Sequence, residues 1–308
     1  MDLIEKDLLL QIADLHGIPE GAYNIRANGE AYSRNTTANI DIVTKTDGNS
    51  GVDIIIKPGT KKESLHIPVI ISKAGLQEVV YNDFYIGADS DVVIVAGCGI
   101  HNCGGVEMTS RHDGVHTFRV GKNARVKYVE KHYGSGDGNG KNVMNPETVV
   151  FLDEGAYMEM ETTQIKGIDS SNRITKAELN ANSTFIVKEK LYTHGSQVVD
   201  TDFVVEMNGE NCTADIISRS VAADNSKQNF VSTMNGNAPC KGHTECDAII
   251  MNDASVKAAP CLSANNVDAE LIHEAAIGKI AGEQLTKLMT LGLTEEEAEE
   301  QIIKGFLH

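Results

Sequence analysis

Six segments of this chain repeat one composition: an apolar residue, three turn-forming residues, a small residue, then alternating apolar positions. They start at Val120, Leu152, Leu179, Met207, Met234 and Met251, and read on as Gly121-Lys-Asn-Ala124, Asp153-Glu-Gly-Ala156, Asn180-Ala-Asn-Ser183, Asn208-Gly-Glu-Asn211, Asn235-Gly-Asn-Ala238 and Asn252-Asp-Ala-Ser255. The leading residues stand 27, 28 and 27 positions apart from Leu152 to Met234, 32 apart at the first interval and 17 at the last. Gly, Asn and Asp tolerate the positive φ of a tight corner, and a small residue lets the chain turn inward before the next strand. A β-sandwich would also turn at such intervals, but it has no reason to repeat one corner composition. The period is that of one solenoid coil. The chain is therefore expected to be mainly β, a parallel or mixed β-helix, with insertions where the interval departs from 27 or 28. Aromatic residues make up only 5% and Trp is absent, which suits many thin layers better than a few aromatic-filled cores.

Both ends read differently. Leu3, Ile4, Leu8, Leu9, Ile12 and Leu15 fall near helical spacing, and Gly17 and Pro19 supply a stop, so residues 1–23 form a short helical segment. Alternating runs such as Ala38-Asn-Ile-Asp-Ile-Val43 begin the β-helix core, assigned to 24–271. From 272 to 308 the pattern is helical again, with Thr294 before Glu295-Glu-Glu297 predicting an N-terminal cap and Gly292 separating two helices. Such a pair would cap the solenoid or hold a partner.

The net charge of −17 argues against nucleic acid, whose binding draws on clustered Lys and Arg. Neither a basic, apolar leader nor a membrane-length apolar run is present, so a cytoplasmic protein is expected. Its six cysteines are then reduced thiols rather than a disulfide framework. Ser135-Gly-Asp-Gly-Asn-Gly140-Lys141-Asn142 resembles a phosphate loop, but Ser135 replaces its first glycine and Asn142 its final Ser/Thr, so a loop without ATP is expected.

Two places offer metal ligands. Cys98-Gly-Ile-His101-Asn-Cys103 puts two thiols and an imidazole on one turn, unless Cys98 merely ends a buried strand; His112 and His116 read as surface histidines. The richer constellation is Cys240, His243, Glu245, Cys246 and Asp247, with Cys261, His273 and Glu274 about one coil later. Cys246 and Glu274 are 28 apart, so stacking of coils would make them neighbours. A thiolate, a carboxylate and an imidazole form an incomplete ligand set for iron; a buried structural cysteine is the competing reading.

From about 200 to 306 the chain resembles the SufB/SufD family of iron–sulfur cluster assembly scaffolds. The resemblance is carried by Ser218-Arg-Ser-Val-Ala-Ala223, Thr244-Glu-Cys246-Asp247-Ala-Ile-Ile250, Ala258-Ala-Pro260, His273-Glu274-Ala-Ala-Ile-Gly278-Lys-Ile280, Glu283-Gln-Leu285, Gly292-Leu-Thr-Glu-Glu-Glu-Ala298 and Gly305-Phe306. It looks most like the short SufB-like scaffolds of anaerobic archaea and bacteria. The resemblance implies a right-handed parallel β-helix core, a homodimer, a transient cluster at the dimer interface, and a SufC-like ABC ATPase gripping the C-terminal helices. Cys246, Glu274 and His273 would hold sulfur or cluster, and Leu285, Leu288, Met289, Leu293, Ile302 and Phe306 would face the ATPase. Such a protein is a scaffold, not an enzyme. The competing functions are a polysaccharide-active β-helix enzyme, against which the missing leader and sparse aromatics count, and a purely structural adaptor for the ATPase.

Overall fold

The computed structural model describes residues 1–105 and 108–307. The chain opens with α1 (Leu3–Ala13), β1 (Ala22–Ala27), β2 (Glu30–Asn35), β3 (Ile40–Thr44) and β4 (Gly51–Ile56). Next come β5 (Lys61–Ile71), β6 (Gln77–Ile86), β7 (Asp91–Asn102), β8 (Thr109–Val120), β9 (Arg125–Gly136), β10 (Lys141–Met144) and β11 (Glu147–Leu152). The most regular part holds β12 (Tyr157–Lys166), β13 (Ser170–Leu179), β14 (Thr184–Thr193), β15 (Val198–Met207), β16 (Cys212–Ala222), β17 (Lys227–Gly236), β18 (Cys240–Ile250), β19 (Ser255–Ala264) and β20 (Ala269–Gly278). Helices α2 (Gly282–Met289) and α3 (Glu295–Leu307) close it.

Strands alternate between two sheets, so each coil lays one strand on either side of a flattened parallel β-solenoid of about 8 turns. One sheet runs β2-β1-β5-β7-β9-β12-β14-β16-β18-β20, the other β19-β17-β15-β13-β10-β8-β6-β4-β3, with β11 also lying between β8 and β13. Strands β10 and β11 are two halves of one rung, broken at Pro146, which has no N–H to give to the ladder. The first end departs from the coil rule: β2 and β3 pair antiparallel with β1 and β4.

Alternation along each strand decides what lies inside. β18 alternates buried positions with half-buried or exposed ones from Cys240 to Ala248, as β12, β14, β15 and β16 do over most of their length. Phe84, Phe118, Phe185, Val187, Ile216 and Met234 fill the interior, and the rings of Phe84 and Phe118 stack at 4.2 Å. The corners carry the expected left-handed residues: Asn123, Asn182 and Asn211 have φ of 57°, 57° and 59°. Corner amides also bond from coil to coil, as in Asn265 Nδ2 to Asn237 Oδ1 at 2.7 Å and Asn237 Nδ2 to Asn208 Oδ1 at 2.8 Å.

Three expectations need correction here. Met251 starts the opposite corner of its coil, in step with Ala223, so the interval of 17 is a half-coil and not an insertion. The solenoid continues past 271, because β20 pairs with β18 through Gly278 and carries His273 and Glu274 on a strand. His112 and His116 are interior, at 6% and 7% exposure. The Ser135–Asn142 segment joins β9 to β10 by a turn, with no helix behind it to form a phosphate loop.

The interior is not wholly apolar. Tyr128 donates to Glu130 at 2.9 Å and lies 2.8 Å from His116 Nδ1, while Arg173 links His132 Nδ1 (2.9 Å), Gln164 (3.3 Å) and Glu189 (3.2 Å). Burial pushes the His116 pKa down to about 4, and it therefore stays neutral. Burial pushes Glu130 the other way, but His132, His116 and Arg173 outweigh it and hold the carboxyl well below its usual range. This polar seam runs on through Glu189 to Ser218, whose hydroxyl donates to Glu189 at 2.8 Å.

Helix α1 starts at a reciprocal cap between Asp2 and Glu5, and its buried residues Leu8 and Ile12 lie against Gly97 and Gly99 on the outside of β7. Thr294 and Glu297 cap α3 reciprocally, at 2.8 and 3.2 Å, as the sequence predicts. Helix α3 buries Ala298 and Leu307, while β19 and β20, each the last strand of its sheet, keep half-buried and exposed residues. No helix among the described residues is long and apolar enough to cross a membrane.

Candidate functional site

The last coils place the chemistry-bearing residues on two faces of one sheet. Register pairs Glu245 with Glu274, Thr244 with His273, and Cys246 with Ala275. The offset from Glu245 to Glu274 is 29, one more than the 28 that separates Cys246 from Glu274, and a slip of one residue on a strand exchanges the faces. Cys246 and Glu274 therefore point to opposite sides of the sheet and are not the direct neighbours the spacing predicts.

On the inner face, Cys246 is 1% exposed and lies in register beside Ser218, which in turn lies beside Glu189. Burial, and then the negative charges of Glu189 and Asp247, push the Cys246 thiol up to about 12. It is a protonated thiol at neutral pH. His273 sits on the same face two residues along, with its Nδ1 buried and without a hydrogen-bond partner among the described residues. Thr244, between His273 and Ile216, donates to Ser232 across the core at 3.1 Å. Cys240 is also inward, beside Cys212, and burial raises both thiols, Cys212 to about 11.

On the outer face, His243, Glu245 and Glu274 bring one ligand atom each within 4.8 Å of one another. His243 Nδ1 lies 2.8 Å from Asp215 Oδ1, which leaves Nε2 turned to Glu274, 3.9 Å away. A carboxylate on the far nitrogen is the arrangement that fixes the tautomer of a metal-binding imidazole. Burial and the neighbouring Asp247 raise the Glu245 carboxyl, a cost that a cation between the carboxylates would relieve. Arg219 approaches Glu245 at 3.8 Å, and Asp247 accepts from the Ala276 N–H at 3.2 Å. One imidazole and two carboxylates suit iron(II) with positions left open.

The other sulfur candidates do not join this place. Cys261 is exposed on the outside of β19, in the opposite sheet. Cys98 faces inward and is 2% exposed, whereas Cys103 is exposed, so the two thiols of that turn do not form a common site. The C-terminal helices flank an open groove of about 710 Å³ lined by Ala248, Ile277, Gln284, Ile302 and Phe306. Leu285, Leu288, Leu293, Ile302 and Phe306 are half-buried and Met289 is 44% exposed. Sequence reasoning missed Asp215 and Glu189; both stand 28 or 29 residues before a residue they serve, His243 and Ser218, and the coil period was the signal available.

A model of the SUF system FeS cluster assembly SufBD core domain matches residues 72–306. The chain belongs to the SufBD family. It is 32% identical over 264 residues to an iron-sulfur cluster assembly SufBD family protein of Methanocaldococcus jannaschii, covering 85% of this chain and 82% of that one. SufBD family proteins of Archaeoglobus fulgidus (31% over 267 residues, 85% and 69%) and Methanothermobacter thermautotrophicus (30% over 264 residues, 83% and 62%) are also similar. The part matching the SufBD core contains both faces of the site and most of α3, while α1 and the antiparallel hairpins lie before it. A role in SUF-type iron–sulfur cluster assembly follows from this membership.

Proposed function

We propose that this SufBD protein is a scaffold that receives iron and sulfide as substrates and holds the nascent cluster at the open end of its solenoid, where a second copy docks. A SufC-like ABC ATPase gripping α2 and α3 drives it between states. The observation that carries the reading is the two-faced terminal sheet: a hard-ligand cluster of His243, Glu245 and Glu274 outside, and the Cys246 thiol one residue away inside. With its thiol held protonated and shielded, Cys246 is no ligand for free iron, so iron meets the exposed carboxylates first. Thiolate ligation then requires the coil end to open, and β20, the single strand covering Cys246 at the sheet's edge, is the element that must move. The free edges of β19 and β20, together with Ile272 (56% exposed) and Val267 (97%), support docking there.

Anaerobic titration with iron(II), followed by sulfide and a scan of the thiolate-to-iron charge-transfer absorbance, tests the proposal. Wild type should bind iron and develop the band; Glu274→Gln and His243→Asn should lose iron affinity by about 10- to 100-fold. Cys246→Ala should keep iron binding and lose the band. A full band in Cys246→Ala, or none in wild type, overturns the proposal.

A further inference from the structure

Cys103 is the second exposed cysteine besides Cys261, and it has a partner that Cys261 lacks among the described residues. Its Sγ lies 3.0 Å from His101 Nε2, and His101 Nδ1 lies 2.9 Å from Ser135 Oγ. The strand register sets this up, since His101 on β7 pairs with Ser135 on β9. With the Nδ1 proton donated to Ser135, Nε2 keeps its lone pair for the thiol. A nucleophile, a base within hydrogen-bond reach and a third group orienting the base are the parts of an activated-nucleophile site.

The turn bearing Cys103 is held in place. Asn102 is 1% exposed; its Oδ1 accepts from the Gly104 N–H at 2.9 Å, and its Nδ2 donates to the carbonyls of Met108 (3.0 Å) and Lys141 (3.1 Å). Beside it opens a cleft of about 250 Å³ that shares Asn102 and Ser135 and is lined further by Gly138, Lys166 and His194. The Gly104 N–H, the first donor after the nucleophile, is committed to Asn102, so it is not free to stabilise an oxyanion as acyl transfer would need. Transfer of a sulfur atom needs no such donor.

We propose that Cys103, with His101 as general base and Ser135 as the group that positions it, takes sulfane sulfur from a persulfide donor. This rests on the scaffold reading, which requires a source of sulfur; the sulfane sulfur held on Cys103 reaches the sulfide level of a cluster with two electrons from a dithiol reductant. His101 takes the Cys103 proton, and the thiolate attacks the outer sulfur of R–S–SH. A bond forms from Sγ to that sulfur and the bond to R–S breaks. The departing R–S⁻ takes the proton back from the imidazolium, leaving Cys103–S–SH, R–SH and neutral His101. The transfer itself consumes no net oxidant or reductant.

The test uses the full chain, reduced and free of iron. Limiting iodoacetamide at pH 7 with peptide mass mapping should label Cys103 at least about 100-fold faster than Cys261, the lower end of general-base assistance. His101→Asn should abolish that preference and Ser135→Ala should reduce it, with melting curves confirming that both fold. Inorganic polysulfide should then add one sulfur to the Cys103 peptide. Equal labelling of the two cysteines, a preference that survives His101→Asn, or equal sulfur on Cys261 overturns the inference. Since these arms need no cluster, they stand or fall separately from the Cys246 result.

Discussion

Replacing Arg173 by Met probes the polar seam beneath the candidate site. Arg173 is 5% exposed, and its guanidinium reaches Glu189 at 3.2 Å, His132 Nδ1 at 2.9 Å and Gln164 at 3.3 Å. Without it, the Glu189 carboxylate, 2% exposed, keeps among the described residues only the hydroxyls of Ser218 (2.8 Å) and Thr201 (3.3 Å). Removing one member of a buried pair leaves an uncompensated charge and costs about 3–5 kcal/mol. Glu189→Gln on that background removes the stranded charge and can still bond to both hydroxyls, so the double variant should recover about 2 kcal/mol relative to additivity. Equilibrium urea unfolding of wild type, the two single variants and the double variant closes the cycle. A loss below about 1 kcal/mol for Arg173→Met, or additivity in the double variant, would refute the view that the seam is held by its charges.

Acid should act through His116 as well. Its folded-state pKa of about 4 lies below the ordinary 6.5, so its contribution is complete above pH 6.5 and is lost as pH falls toward 4, where the unfolded chain binds a proton the folded chain refuses. The full span amounts to about 3 kcal/mol, and the slope of urea stability against pH should be shallower in His116→Asn; an equal slope would exclude His116 as its source. Gly134→Ala should lower the melting temperature, since its Cβ would lie within bonding distance of the Gly167 carbonyl on the next coil, at a cost of about 1–3 kcal/mol or more. Gly305→Ala, in α3 with nothing within 4 Å of the new methyl, should raise it by the equivalent of about 1 kcal/mol. The same sign from both would contradict the packing described.

The repeating corners were legible because they are local: Asn182 and Asn211 need positive φ whatever lies around them. Register was not. A coil of 28 residues and one of 29 look alike in composition, yet the difference sends Glu274 outward and Cys246 inward. His112 and His116 misled for a related reason. Polar residues on a strand read as solvent-facing, and only the opposing sheet and the neighbouring coils, with Glu78 3.1 Å from His112 and Tyr128 2.8 Å from His116, show how an interior can hold them. The family motif around His273 and Glu274 drew attention to the last coil, and the helical tail beyond it hid that the motif itself is a strand.

The two ends of the solenoid are unlike, and that decides what kinds of assembly it allows. At the first end the outermost strands, β2 and β3, run against the coil direction and are only 6 and 5 residues long, with Glu30, Arg34 and Asp41 among them. At the last end β19 and β20 run with it and offer 10-residue edges. A fibre grows when the tail of one molecule continues the head of the next, and here the head presents a reversed, short and charged rim. Such a rim gives the last coil of a second molecule no parallel ladder to continue. Joining two like ends uses up both templates and stops at two.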